Sequence, residues 1–413
     1  MIGQGYVGLP LAMLAVEAGF DVVGVDLDVS RAKMLSTGES FIEDVTSSRL
    51  AAALATGRYR PTHDYAAAAG FDVCVVSVPT PLRDGVPDLS YVERAGVELA
   101  PYLRPGCTVV LESTTYPGTT EELLRPLLED GSGLRSPGDF HLGYSPERID
   151  PGNAIWRLDN TPKVVSGLDG AALAEVDSFY RRIVERTVPV DSIRVAELAK
   201  LIENTFRQVN IALVNELATF ASEMGIDVWA AIEAAASKPF GFMPFRPGPG
   251  IGGHCLPIDP CYLSWQVKRT LGRRFRLVEL ASDINHAMPE HVVRRVMEGL
   301  NARGRPLAGT RVLLLGLAYK KNTGDLRDSP AVEVADRLRR LGAEVLAAEP
   351  YGDLRQVPGG VGIVELTEDE VRAAGVVVVL SDHDCFDYPM VSRCASYVFD
   401  TRDRCRGTHV ERL

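Results

Sequence analysis

Positive charge is scarce in this chain. Its 413 residues hold 44 Lys and Arg against 55 Asp and Glu, a formal net charge of −11. Binding along a nucleic acid needs a clustered cationic excess to neutralise phosphates, so that partner class is excluded and any anionic ligand must be met by a few local groups. Cysteine is sparse too, with seven residues, widely spaced and without a CxxC pair. That odd, scattered set excludes a disulfide framework and points to a reducing, cytoplasmic setting. The strongest apolar runs, "AAGVVVVL" and "RVLLLGLA", are strand-sized, so no membrane span is expected. Nothing resembles the charged and apolar regions of a secretion signal, and there is no short repeat or low-complexity tract.

What is there suits a globular protein of two or three domains, because 413 residues exceed the size at which one core keeps growing. The chain opens "MIGQGYVGLPLAMLAVEAGFDVVGVDLD", a glycine turn running into an apolar helix and then a strand ending at Asp26. Only Met1 and Ile2 precede the first glycine, whereas a dinucleotide fold places about five apolar residues there. The first strand is therefore expected to be missing, which counts against cofactor binding. Near-continuous apolar runs at 71–78, 107–114, 140–147 and 162–167 predict parallel strands covered on both faces. From about Ser192 to Asn301 the pattern is helical, with one long spine, "VAELAKLIENTFRQVNIALVNELATFASEMG". Its apolar face exceeds what one short neighbour covers, so a homodimer packed through it is expected. After "RGRPLAGT" a second α/β layer begins, with a helix from Pro330. The expected architecture is α/β: two Rossmann-like parallel-sheet domains, 1–190 and 303–413, joined by a central all-helical domain over 191–302.

Gly3, Gly5 and Gly8 form GxGxxG, in which the first glycine makes a tight turn, the second admits pyrophosphate and the third allows close helix packing. Asp26 lies eighteen residues after Gly8 at a strand end, where a carboxylate accepts bonds from the adenosine ribose and repels a 2′-phosphate. NAD is thus favoured over NADP, although Arg31 nearby pulls the other way.

The segment "RPGPGIGGHCLPIDPCY", Arg246 to Tyr262, mixes proline with glycine and so specifies a shaped loop. Within it Cys255 has His254 beside it and Asp259 four residues on, which makes it a candidate nucleophile, whereas the other cysteines read as small buried hydrophobes. A metal site of His254, Cys255, Asp259 and Cys261 is set aside, since adjacent side chains diverge and no second ligand cluster has zinc-site spacing. Lys200 and Asn204 lie at i and i+4 on one face of the spine, followed by Asn210 and Asn215. This is either a solvated surface or a polar stripe on a buried helix. Thr114, Glu147 and Arg148 follow strands, where open α/β sheets bind ligands, although ordinary turn formers also sit there.

Taken together, "GQGYVGLPLA", "VPTPL", "EST", "SPERIDPGN", "AKLIENTF", "GPGIGGHCLPIDP" and "GLAYKKNTGDLRDSP" make the chain resemble, over essentially its whole length, the nucleotide-sugar 6-dehydrogenases. This family comprises the UDP-glucose, GDP-mannose and UDP-N-acetylhexosamine dehydrogenases. The resemblance implies oxidation of the C6 hydroxyl of a nucleotide-diphosphate hexose to a carboxylate with two NAD per turnover. Cys255 would then carry a thiohemiacetal and a thioester. Lys200 and Asn204 would stabilise the oxyanion, Asp259 and Glu147 would position water and pass protons, and Thr114 would lie near the nicotinamide and water. Cofactor contacts are implied for Tyr6, Val7, Thr80, Thr114 and Arg327 besides the glycines, Asp26 and Arg31. Substrate contacts are implied for Glu147, Arg148, Lys200, Asn204, Arg246, Gly252, Lys320 and Arg402, with the glycine run laying backbone amides along the diphosphate. In one branch of the UDP-glucose enzymes a second acid lies four positions after the residue matched by Glu147; here that place is Pro151, beside Asp150. The expected donor is of the UDP- or dTDP-glucose type, with a UDP-N-acetylhexosamine as the alternative. A two-electron hydroxyacid dehydrogenase or a non-catalytic nucleotide-binding regulator is a remoter reading.

Overall fold

The computed structural model describes every residue except Glu43, Asp150, Pro151, Gly152, Ala154, His254, Cys255 and Asp353, and for Leu354 the backbone only. The chain divides into two compact units. The first comprises Met1–Glu203 with Cys261–Arg273, and the second Asn204–Pro260 with Arg274–Leu413.

In the first unit the strands are β1 (Val22–Val25), β2 (Tyr59–Thr62), β3 (Val73–Val76), the hairpin β4 (Leu82–Arg83) and β5 (Val86–Pro87), β6 (Thr108–Leu111), β7 (His141–Tyr144), β8 (Lys163–Gly167) and β9 (Thr187–Pro189). Two sheet pieces, β1-β2 and β3-β6-β7-β8-β9, are joined by Ile2, which bridges Val25 on one side and Val76 on the other. The residues before the glycine turn therefore pair between β1 and β3, against the expectation that this strand is missing. Ile2 donates to the Val75 carbonyl and accepts from Ser77, while Gly3 donates to Val25 and Met1 accepts from it, each at 2.8 Å. Three residues thus complete the ladder that carries the glycine turn, and the objection to cofactor binding falls.

The parallel expectation fails at one place: β8 runs antiparallel to β7. Parallel neighbours need a crossover, usually a helix. No helix occurs among the described residues between β7 and β8, whereas helix Gly170–Tyr180 separates β8 from β9, and that pair is parallel. The core packs helix Gly8–Glu17, through Leu9, Leu11 and Met13, with Val75, Val110 and Val165 of the sheet.

The second unit is built on six parallel strands, β10 (Arg311–Leu315), β11 (Glu344–Ala348), β12 (Gly362–Ile363), β13 (Val376–Val379), β14 (Val398–Asp400) and β15 (Val410–Arg412), in the order β12-β11-β10-β13-β14-β15. Helix Pro330–Arg340 starts where Ser329 caps the Ala331 amide and proline occupies the first turn, the favoured start signals. Helices Val228–Ala236 and Arg276–Ala302 share one core with this sheet, Trp229, Val292 and Val296 meeting Val312 and Val378. The Trp229 indole donates to the Leu413 carbonyl at 2.9 Å.

The spine helix, Ile193–Glu223, belongs to the first unit up to Glu203 and to the second from Asn204. Its buried side carries a polar stripe beside the apolar Leu201, Ala212, Val214 and Ala218. Glu197, Lys200, Asn204, Gln208 and Asn215, spaced by three, four or seven residues, are buried, while Ile202, Phe206, Leu213, Leu217 and Phe220 are exposed. A buried polar stripe on a helix requires partners for each group.

Candidate active site

The glycine turn of the first unit meets its three demands separately. Gly3 has φ +86°, and a Cβ there would lie 2.4 Å from the Ser77 carbonyl oxygen; at Gly8 it would lie 1.9 Å from that of Gly3. At Gly5 a Cβ would meet nothing within 4 Å, so the open side of the turn lies there. Helix Gly8–Glu17 has no side-chain cap; Leu9 donates to the Gly5 carbonyl at 3.1 Å and Pro10 has no N–H, so Gly8 is the first-turn amide left to a ligand. Tyr6 is exposed and Val7 half-buried on this turn. Asp26 accepts the Gln4 amide and the Asp28 amide, each at 3.0 Å, and pairs with Arg31 at 3.0 Å. Arg31 is also stacked 4.9 Å from the Phe41 ring. Its charge is thus engaged by Asp26, which strengthens the preference against a 2′-phosphate. Gln4, not singled out from the sequence, is fully buried, accepts the Tyr59 hydroxyl at 2.7 Å and donates to Gly3 O at 2.9 Å. An open glycine turn, a helix N-terminus without a side-chain cap and a carboxylate at the neighbouring strand end fit a dinucleotide.

Thr80, Thr114 and Glu147 follow β3, β6 and β7, so three adjacent strands present them at the carboxyl edge of one sheet. Glu147 is 9% exposed, and burial pushes its carboxyl up to about 6 against the opposing pull of Lys200, the Ile149 and Arg148 amides and the Arg148 guanidinium. Arg148 is engaged structurally, donating to Pro162 O at 2.6 Å and pairing with Glu203 at 2.7 Å. Beneath Glu147 sits a buried pair that sequence reasoning missed, Lys163 with Glu112. Glu197, also missed, accepts the Gly118 amide at 2.6 Å and the Thr120 amide and hydroxyl at 3.0 and 2.7 Å, pinning the loop after Thr114 to the spine. Burial raises its carboxyl to about 7. The signal for all three was a charge beside or within an apolar run, where charge is rare unless paired.

In the second unit Asn204 donates to Asp259 at 2.5 Å, both side chains buried. Asn215 accepts the Gly248 amide at 2.9 Å and donates to Asn285 at 2.9 Å, while Gln208 donates to Ser282 at 3.0 Å. The polar stripe therefore includes Gln208 and omits Asn210, which bonds its own helix at the Phe206 carbonyl. The glycine run is demanded by its own chain: at Gly252 a Cβ would lie 2.6 Å from Tyr319 and 2.7 Å from Pro330, and Gly253, at φ +80°, donates to Arg327 O at 3.2 Å. Close packing thus accounts for glycine there without a diphosphate. Arg402 donates to Leu380 O at 2.8 Å, and its guanidinium lies against Gly248. Arg327 forks onto Asp325 at 2.9 and 2.7 Å, and Lys320 is half-buried. Arg246 is exposed and ion-paired with Glu233, so it is held away from the buried stripe rather than within it. Cys255 and His254, with Asp150 and Pro151, lie outside the described residues.

Residues 1–184 match the NAD binding domain of the UDP-glucose/GDP-mannose dehydrogenase family, residues 194–287 its central domain and residues 313–406 its UDP binding domain. The chain belongs to this family of NAD-dependent nucleotide-sugar oxidoreductases. It is 36% identical over 387 residues to a UDP-N-acetyl-D-mannosamine dehydrogenase of Pyrococcus horikoshii, covering 94% of this chain and 89% of that one. With a UDP-N-acetyl-D-glucosamine 6-dehydrogenase of Pseudomonas aeruginosa it shares 39% over 355 residues, 85% of this chain and 82% of that one. Among solved structures, a UDP-D-ManNAc dehydrogenase from Pyrococcus horikoshii superposes with a TM-score of 0.90 at 33% identity, covering 100% of this chain and 98% of that one. Among the described residues no helix is long and apolar enough to cross a membrane.

Proposed function

We propose that this chain oxidises the C6 hydroxyl of a UDP-N-acetylhexosamine to the uronic acid. Of the two donor classes expected from the sequence, the N-acetylhexosamine class is adopted because relatives at 36% and 39% identity carry UDP-N-acetyl-D-mannosamine and UDP-N-acetyl-D-glucosamine in their names. When bound, NAD takes a hydride from C6, twice per turnover. The balance is one alcohol, one water and two NAD⁺ giving one carboxylate, two NADH and three protons.

The observation that carries the chemistry is the buried polar stripe Lys200–Asn204 with Asp259. An asparagine amide has two N–H donors. Asp259 holds one and so orients the second, which together with the Lys200 ammonium stabilises the alkoxide or the tetrahedral oxyanion at C6. The Cys255 thiolate adds to the intermediate aldehyde, the thiohemiacetal is oxidised to a thioester, and water cleaves it. Glu147, with its carboxyl near 6, is ionised at neutral pH and takes the proton from that water. The exposed apolar stripe of the spine helix supports a homodimer, and the six free cysteines among the described residues suit a reducing cytoplasm.

The test mixes enzyme and NAD with UDP-N-acetylglucosamine, UDP-N-acetylmannosamine, UDP-N-acetylgalactosamine and UDP-glucose, following NADH and acid together. Two NADH per acid from an N-acetylhexosamine supports the proposal. A preference for UDP-glucose, or one NADH with an aldehyde or ketone product, rejects it.

A further inference from the structure

We propose that Glu112 and Lys163 form a buried positioning pair for Glu147, with Lys163 acting on the Glu147 carboxylate by charge while Glu112 limits how much of that charge Glu147 receives. The inference rests on Glu147 being the proton acceptor of the reaction proposed above.

The geometry is a chain of opposite charges under the carboxyl edge of the sheet. Glu112 follows β6, Lys163 opens β8 and Glu147 follows β7. The Lys163 side chain is 3% exposed and that of Glu112 0%. An ammonium has three protons to place. Lys163 donates to Glu112 Oε1 and to the Pro146 carbonyl at 3.3 Å, and its Nζ stands 3.6 Å from Glu147 Oε2. At that last separation there is Coulomb attraction without a hydrogen bond. Glu147 Oε1 accepts the Ile149 amide, and Oε2 has no hydrogen-bond partner among the described residues, so the oxygen nearest Lys163 is the one left to take a proton.

Among the described residues, the other charged and titratable groups around Glu147 are Lys200 from the spine helix, Arg148 from its own loop, itself paired with Glu203, and Tyr180 of helix Gly170–Tyr180, whose ring lies 5.2 Å from Lys163 Nζ. Burial, with repulsion from Lys200, pulls the Lys163 ammonium well below its usual range, and the two carboxylates beside it, Glu112 and Glu147, each oppose that loss of its proton. A purely architectural ion pair needs no second carboxylate beside it. Here the second carboxylate is the candidate base itself, Glu147.

The experiment compares wild type with Lys163→Met, Lys163→Arg, Glu112→Gln and the double variant Glu112→Gln/Lys163→Met. Two readouts are taken. One is the pH dependence of NADH formation from the UDP-N-acetylhexosamine. The other is the infrared carboxyl band of Glu147 in substrate-free protein, assigned by its loss in Glu147→Gln. Lys163→Met should move the Glu147 titration upward by about one pH unit, tenfold in proton affinity. Glu112→Gln should move it downward, because Lys163 then serves Glu147 alone, and Lys163→Arg and the double variant should stay near wild type. Shifts of opposite sign are something a merely structural pair does not produce. Movement of both single variants in one direction, or no movement in folded protein, overturns the proposal. If Lys163→Met does not fold, Glu112→Gln and the double variant, which removes both buried charges together, carry the same test. Opposite infrared shifts with no NADH from any donor reject the proposed reaction and support the pair's hold on Glu147.

Discussion

The Asn204 side-chain amide donates to the Asp259 carboxylate at 2.5 Å, and both residues are buried, at 5% and 4% exposure. This contact converts a flexible amide into a fixed donor. Asn204→Ala should lower kcat by about 100-fold or more, the range for loss of one oxyanion donor, with a much smaller change in KM. Equal losses in kcat and donor affinity, from steady-state kinetics and calorimetry, would reduce Asn204 to a binding residue.

Gly5 and Gly8 separate ligand approach from packing. A Cβ at Gly5 meets nothing within 4 Å, while one at Gly8 would stand 1.9 Å from a carbonyl oxygen. Gly5→Ala should therefore keep the wild-type Tm and bind NAD more weakly. Gly8→Ala should lower the Tm, through strain of about 1–3 kcal/mol. Thermal unfolding and NAD titration on both variants check the contrast, and a lowered Tm in Gly5→Ala would refute it.

Cys255→Ser should abolish acid formation and leave NAD binding intact, since a serine hydroxyl does not replace the thiolate in forming the thioester. Acid production at the wild-type rate would remove the covalent route.

His291 makes acid unfolding partly its own. Burial, with Arg294 and Arg295 adding repulsion, lowers its imidazole to about 4, and its Nδ1 lies 2.9 Å from Arg294 Nη2, where a neutral ring accepts. The folded value lies below the ordinary 6.5, so the unfolded chain binds the proton first. The neutral ring's contribution is complete above 6.5 and is lost as pH falls toward 4. His291→Gln should flatten the decline of Tm across that window, and an unchanged slope would assign acid sensitivity to other groups.

Leu213 and Leu217, 53% and 39% exposed on the spine helix, offer an apolar stripe to a second copy. On the proposed homodimer, light scattering should give a dimer for wild type and a folded monomer for Leu213→Glu with Leu217→Glu. An unchanged mass would place the interface elsewhere.

The sequence by itself determined the local devices of this protein. A glycine turn opening a helix is legible because glycine's backbone freedom is a property of the residue, and Lys200 and Asn204 share a face because helical geometry puts i and i+4 together. The family was legible for the same reason, since its motifs are short and contiguous. Only the tertiary structure decided what burial does to charge. Glu112 meets Lys163 across 51 residues and Gln4 meets Tyr59 across 55, and no periodicity relates them. Met1–Gly3 serve as a strand because β1 and β3 supply partners on both sides. The direction of β8 follows from how its connection returns to the sheet, and apolar composition is the same for either direction. The spine helix, with its buried polar stripe, is the clearest case. Its pattern showed two unlike faces, but which face is inside depends on partners, and the Asn285, Ser282 and Asp259 side chains that receive its polar stripe come from segments far along the chain.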